Sequence, residues 1–390
     1  MKLLYLANNR VPSEKANSLQ IMQMCQAFRL QGAEVALVVP LRTQPRVMRS
    51  IADPFAYYGL KARFPIVRLP CADALEVAPA PLQNPAFALQ SSSFALAVAG
   101  YLSTHRADLY YSRDPLSTLL LALSPESIRR RSIYEAHTFP GPGRRRDLHL
   151  WAAKRIGRLV CITQGLAEEY RSRGVAEGRI LVAPDAVDLD RFRELPDKAE
   201  ARRDLGIPQE ATVVCYTGHL YPWKGVYTLA QASELMPANY MVYLVGGTEE
   251  DRHALQSFVE ERGLERVRLA GHVPPNRVTD YLAAADVLVL PNSGTDVRSS
   301  RYTSPMKLFE YMAARRPIVA SRLPSLQEVL RDGENSLLVE PDNPNALADG
   351  IAKLLDSPDL GQRIAAGAWQ EAQDRSWEAR ARAVLAFLRG

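Results

Sequence analysis

A chain of 390 residues, 47% hydrophobic and 23% charged, has the profile of a folded globular protein and is too long for one ordinary compact domain. Its net charge of +5 is unevenly placed: residues 1–190 carry +8 and the remaining 200 carry −3. A basic first half favours an anionic partner, whether a phosphorylated acceptor, an anionic membrane face or nucleic acid, although an arginine-rich solvated surface has the same composition.

In chain order, Lys2–Ala7 reads as a strand, with no apolar leader or cleavage site behind it. A polar loop from Asn8 to Asn17 precedes a helix over about Ser18–Gln31, which Gly32 ends, and Glu34–Pro40 is the second strand. This is one βαβ unit, expected to be parallel and right-handed. Further strands read at Ile66–Leu69, Leu109–Ser112, Ser132–Glu135, Leu159–Ile162 and Ile180–Ala183. The apolar run Phe87–Leu102 is interrupted by Gln90 and Ser91–Ser93 and falls short of the ~20 apolar residues that span a bilayer. A cytoplasmic protein is expected, peripheral at most on the inner face of a membrane. Cys25, Cys71, Cys161 and Cys215 are scattered, without a CxxC pair, and read as reduced thiols.

A charged, helix-like stretch runs over Asp188–Leu205, and a fresh series of strands opens with Thr212–Thr217. It continues at Tyr240–Val245, Val267–Ala270, Val287–Leu290, Pro317–Ala320 and Ser336–Val339. The alternation predicts an α/β protein with two Rossmann-like, doubly wound parallel sheets, their strand C-terminal ends toward a shared cleft. The expected domains are 1–190 and 205–372, with a C-terminal helix over 373–390.

Three segments of the second half carry chemistry together. Gly218-His219-Leu220-Tyr221-Pro222-Trp223-Lys224-Gly225 follows a strand and precedes a helix, so its glycines let backbone approach a ligand where Lys224 brings a cation. A diphosphate needs that arrangement; a tight turn with a solvated lysine has the same letters. Gly271-His272-Val273-Pro274 ends a strand in a glycine turn whose backbone could read the edge of a base. Ser304-Pro305-Met306-Lys307-Leu308-Phe309-Glu310 reads as a helix start with Pro305 at the first helical position. The amides of Met306, Lys307 and Leu308 would then form an anion site. Glu310, one turn deeper, could accept two ribose hydroxyls.

The order of these segments resembles the retaining GT-B glycosyltransferases of family 4, group 1. Cys161–Leu166, Pro184–Asp188 with Phe192, and Ser376-Trp377-Glu378 add to the likeness, which covers nearly the whole chain and is strongest over residues 160–345. The resemblance implies an acceptor-binding first domain, a nucleotide-sugar-binding second domain, and a last helix that crosses back onto the first. It implies transfer of a hexose-type sugar from a UDP- or GDP-sugar to an acceptor hydroxyl, in the making of a cell-surface glycan or glycolipid. No metal or other cofactor is implied. The acceptor would be a glycan, a lipid-linked sugar or a small molecule; no nucleic-acid-binding signature is present.

The resemblance gives His137, at a strand end in Tyr134-Glu135-Ala136-His137, a place against the donor sugar. Lys224 falls to the diphosphate and Glu310 to the ribose. The departures are His219, where the family often has arginine, and Tyr302, where it has a leading glutamate. The first loop, with Arg10, Lys15 and Asn17, stands where the family has a glycine pair, and Arg113 follows another strand; these four are candidates for the phosphates or the acceptor. A nucleotide-sugar 2-epimerase on the same scaffold and a non-catalytic nucleotide-sugar-binding partner are the rival readings. Arg129-Arg130-Arg131 and Arg144-Arg145-Arg146 flank the His137 strand and suit anionic headgroups as well as water.

Overall fold

A computed structural model describes residues 1–388. The chain forms two compact units, Met1–Pro184 joined by the stretch from Trp377, and Asp185–Ser376. The first holds β1 (Lys2–Leu6), β2 (Glu34–Pro40), β3 (Ile66–Leu69), β4 (Leu109–Ser112), β5 (Ser132–Ala136), β6 (Arg158–Cys161) and β7 (Ile180–Val182). They make one parallel sheet in the order β3-β2-β1-β4-β5-β6-β7. The second holds β8 (Thr212–Thr217), β9 (Tyr240–Val245), β10 (Val267–Gly271), β11 (Val287–Leu290), β12 (Ile318–Ser321) and β13 (Leu337–Val339), parallel in the order β10-β9-β8-β11-β12-β13.

Helices cover these sheets, so central strands are buried on both faces rather than alternating: every residue of β4, β5 and β11 is buried. Strand order reverses between β1 and β4 in the first sheet and between β8 and β11 in the second. In open parallel sheets the crevice at such a reversal, beyond the strands' C-terminal ends, is where ligands bind.

Several local expectations shift. The helix after β1 is Ala16–Leu30, starting before Ser18, whose hydroxyl is used to bond the Arg10 carbonyl. The charged stretch before β8 is not one helix: a 3₁₀ turn Leu189–Phe192 and a helix Lys198–Leu205 are separated at Pro196, which cannot continue a helix. Asp197 caps the second piece by accepting from the Ala199 amide at 3.0 Å.

The apolar run Phe87–Leu102 is part of a longer helix. Continuing from a turn at Ala80–Leu82, the helix Gln83–Thr104 makes Ala80–Thr104 long and apolar enough, by length and composition, to cross a membrane. Ala86, Gln90, Phe94, Val98 and Leu102, spaced four apart, form its buried face. Gln90, which interrupts the run in sequence, donates to Asn8 Oδ1 at 2.9 Å, so the polar interruption is a packing contact of the first unit. Phe87, Leu89 and Leu96 stay exposed.

Candidate active site

In the second unit the loop after β8 is shaped by its glycines. A Cβ on Gly225 (φ +73°) would lie 1.8 Å from the Pro291 carbonyl oxygen, so only glycine lets this loop seat on the end of β11. Between them Pro222–Lys224 form a 3₁₀ turn, and the Ser293 amide donates to the Trp223 carbonyl at 3.1 Å. The Lys224 ammonium stands 3.9 Å over the Trp223 ring, and the Arg298 guanidinium 5.3 Å over the same ring. Burial first, then Arg298, pull the Lys224 pKa down to about 7. Arg298 is paired with Asp296 at 2.6 Å. The His219 ring stacks on Tyr221 at 4.9 Å.

The loops after β9 and β10 close on the same place. A Cβ on Gly246 (φ +112°) would sit 2.6 Å from the Gly218 carbonyl oxygen, and the Gly246 amide donates to the Gly271 carbonyl at 2.8 Å. Three glycines at three strand ends therefore pack backbone to backbone. Gly271 has φ +72°, with a register shift in β10 at that point; exposed His272 and half-buried Val273 follow it.

After β11 a π-helical turn, Arg298–Tyr302, leads to the helix Met306–Ala313. Pro305 is not its first helical residue but its N-cap, with extended ψ of 125°. As a result the Leu308 amide is taken by the Pro305 carbonyl at 2.9 Å, and the orphan first-turn amides are those of Met306 and Lys307. Ser304 is also committed, its hydroxyl accepting from the Asp185 amide at 3.0 Å. Tyr311 ties the helix to β8, its hydroxyl accepting from the Thr217 amide at 2.7 Å.

Lys307 is buried, its ammonium 3.5 Å above the Tyr216 ring, and Nζ has no hydrogen-bond partner among the described residues. Glu310, one turn on and half-buried, has its carboxyl raised by burial, which Arg191 and Lys307 oppose. Tyr302 is buried at the end of the π-helical turn. The sequence-derived donor residues Gly218, Lys224, Gly225, Gly271, Lys307 and Glu310 thus lie on the loops and helix start beyond β8, β10 and β11. Gly246-Gly247, Arg298 and the side chain of Lys307 went unread; a double glycine at a strand end was the available signal for the first.

The first unit gathers a different set. Glu135, on β5, is wholly buried, and His137 Nε2 lies 2.5 Å from its Oε1. Gln20 Nε2 donates to the same oxygen at 2.6 Å, and Arg113 donates to Gln20 Oε1 at 2.7 Å. Arg380, from the C-terminal helix Trp377–Phe387, donates to Glu135 Oε2 at 3.0 Å, and the Tyr111 hydroxyl donates to the same oxygen. Burial works to raise the Glu135 pKa, but Arg380, His137 and Arg113 together hold it well below the usual carboxylate range. His137 and Arg113 are thereby brought into one network, and Glu135 and Arg380, its centre, were not singled out in sequence. Arg10 is turned away: it pairs with Glu76 and donates to the Thr43 carbonyl at 3.2 Å. Lys15 is exposed at the helix N-cap, and the side-chain oxygen of Asn17 is buried without a partner among the described residues.

A cavity of about 400 Å³, lined by Lys198, Asp286, Arg315 and Arg316 among others, lies at the opposite, N-terminal edge of the second sheet. Asp286 is already paired there with Lys198 and Arg202, and none of the residues above lines it.

Residues 211–357 match the family model described as glycosyl transferases group 1, and residues 19–191 match that of glycosyltransferase family 4. A D-inositol 3-phosphate glycosyltransferase of Corynebacterium urealyticum is 31% identical over 225 residues, 55% of this chain and 51% of that protein. That of Acidothermus cellulolyticus is 31% identical over 265 residues, 64% of this chain and 57% of its own length. The chain thus matches only about half the length of these curated relatives. Among solved structures, sucrose-phosphate synthase of Thermosynechococcus elongatus superposes with a TM-score of 0.78 at 20% identity, covering 100% of this chain and 98% of that one. Anabaena HepE in complex with UDP and glucose gives 0.76 at 19%, covering 100% and 99%.

Proposed function

The chain belongs to the group 1 glycosyltransferases of family 4, with their GT-B fold, and from that premise we propose that it moves a hexose-type sugar from a nucleotide-sugar to an acceptor hydroxyl. The observation that carries this reading is the convergence of Lys224, the first-turn amides of the Met306 helix and Glu310 at the strand-order reversal of the second sheet. A cation and orphan amides suit a diphosphate, and a carboxylate one turn away suits ribose hydroxyls. Transfer proceeds with retention of configuration. The acceptor oxygen bonds to the anomeric carbon as the carbon–phosphate oxygen bond breaks, and the acceptor proton passes to the departing diphosphate. Lys224 and the amides stabilise the charge that grows on that leaving group. Their preorganisation asks for no metal.

The ligands of HepE support a UDP-sugar as the first donor to test, with GDP-sugars next. The relatives' name and the basic first half support a phosphorylated or membrane-held acceptor, in the assembly of a cell-surface glycan or glycolipid. In the first unit, Glu135 orients His137 for contact with the donor sugar. Thermal shift against UDP, GDP, ADP, dTDP and their sugars, followed by hydrolysis of the sugar that stabilises best, tests the proposal; a ligand that binds only the folded chain raises its melting temperature. Stabilisation without any turnover of the sugar would favour the rival reading of a non-catalytic binding partner, to which Tyr302 and His219 lend support.

A further inference from the structure

Lys307 is placed where a cation should not be. Its side chain is buried, its Nζ has no acceptor among the described residues, and it lies in the first turn of a helix, at the positive end of the dipole. Burial and, next, the neighbouring Lys224 both push its proton off, while Glu310 and Cys215 resist. The Tyr216 face, 3.5 Å away, is what Nζ rests against among the described residues, and a ring is a weak substitute for a hydrogen-bonded anion when a charge has lost its water. The position is specific: Nζ reaches within 3.0 Å of the point a Gly218 Cβ would occupy, so glycine keeps the path to the β8 loop open. That loop brings only one ammonium of its own, Lys224, since position 219 is an imidazole stacked on Tyr221.

We propose that the Lys307 side chain is the second cation of a two-lysine clamp, with Lys224, on the diphosphate of the donor. The inference rests on the donor reading above and adds to it: the site recognises a diphosphate through two ammonium groups, one on the β8 loop and one on the helix after β11. The apo protein bears the cost of two crowded, poorly solvated lysines, and the diphosphate relieves it by restoring a counter-charge to both.

The test is calorimetry and thermal unfolding of the full chain, wild type against Lys307→Met and Lys307→Gln, with UDP, GDP, ADP, dTDP and inorganic pyrophosphate. Loss of a charge-assisted bond should weaken the diphosphates and pyrophosphate by about tenfold or more. The ligand-free variants should melt at or above the wild-type temperature, since a buried amine without an acceptor is gone. Unchanged affinity overturns the clamp, and so does a fall in melting temperature accompanying weaker binding, which would make Lys307 a structural partner of Tyr216. If the wild type binds pyrophosphate but none of the four nucleotides, the donor reading fails while the pyrophosphate series still judges Lys307. Should neither variant fold, side-chain amine NMR of the wild type with pyrophosphate decides. The groups facing the two lysines are Arg298 with its Asp296, Glu310 with Arg191, and Cys215. Pyrophosphate should bring two protected side-chain ammonium signals into view, those of Lys224 and Lys307, and one signal or none overturns the proposal.

Discussion

Lys224 couples folding stability to pH. Its folded pKa of about 7 lies below the ordinary lysine range, because burial and Arg298 disfavour the ammonium. Between about pH 7 and that range the unfolded chain holds a proton that the folded chain has released, so the ligand-free protein gains stability as pH rises through this window. Below it both states are protonated and the dependence disappears. Urea unfolding at pH 7 and pH 9 should show the rise, and Lys224→Ala should flatten it; a wild type without the rise would mean Lys224 keeps its proton. The same variant should lose turnover by about 100-fold or more while remaining folded, the scale of other deletions of charge aimed at a leaving group. Near wild-type turnover would remove Lys224 from the mechanism. Glu310 and His137 should separate by ligand. Glu310→Gln weakens nucleoside diphosphate and nucleotide-sugar alike, because ribose is common to both. His137→Ala spares the diphosphate and weakens the sugar-bearing donor. Identical calorimetric patterns would show that one of the two roles is wrong.

At the scale of elements, the C-terminal helix Trp377–Phe387 is fastened to the first unit by one buried guanidinium. Arg380 donates to Glu135 on β5 and to the carbonyls of Ala183 and Pro184 at 3.0 and 2.8 Å, so a single side chain joins the last helix, the central sheet and the end of β7. Arg380→Met would leave the Glu135 carboxylate buried without its main counter-charge, and breaking a buried pair in this way costs about 3–5 kcal/mol. Denaturant unfolding should report that loss, and a change below about 1 kcal/mol would mean that His137, Gln20 and Tyr111 carry the charge unaided. The helix Met306–Ala313 is fastened differently, by the Tyr311 hydroxyl on the Thr217 amide, which fixes where its first turn, and hence Lys307, sits relative to β8.

At the scale of the molecule, the uneven charge acquires a surface. Arg144–Arg146 open the helix Arg144–Arg155, along which Leu148 and Trp151 are exposed at four- and three-residue steps, and Arg155 lies 4.8 Å from the Trp151 ring. Basic residues beside exposed leucine and tryptophan are the composition of interfacial helices, in which each basic residue near an anionic bilayer is worth about 1 kcal/mol. Sedimentation with anionic and neutral vesicles should show binding that requires anionic lipid. It should weaken as salt shortens the Debye length from about 10 Å at 0.1 M to about 3 Å at 1 M. Neutralising Arg129–Arg131 and Arg144–Arg146 should abolish it. Indifference to lipid charge would make a small soluble acceptor the better expectation.

The strands, their restart near residue 210 and the segment from Gly218 to Gly225 were legible in the sequence because each is a local property. A strand covered on both faces is an apolar run wherever it occurs, and a glycine-flanked lysine after a strand marks a turn without reference to the rest of the chain. Even so, local reading placed Pro305 inside the helix and spent the Leu308 amide on a ligand, since cap geometry depends on how the preceding loop arrives. The polar interruption at Gln90 likewise hid a helix whose buried face uses that residue. What only the tertiary structure decided are contacts between distant positions. The order of strands put the reversals at β1/β4 and β8/β11, and Gly246 met Gly218 and Gly271 across three loops. Glu135 met Arg380 from 245 residues away, and Lys307 was left with an aromatic face in place of an acceptor. Periodicity reports which face of an element is buried, but the partner that a buried polar group finds, or lacks, is set by chain segments that no local pattern relates.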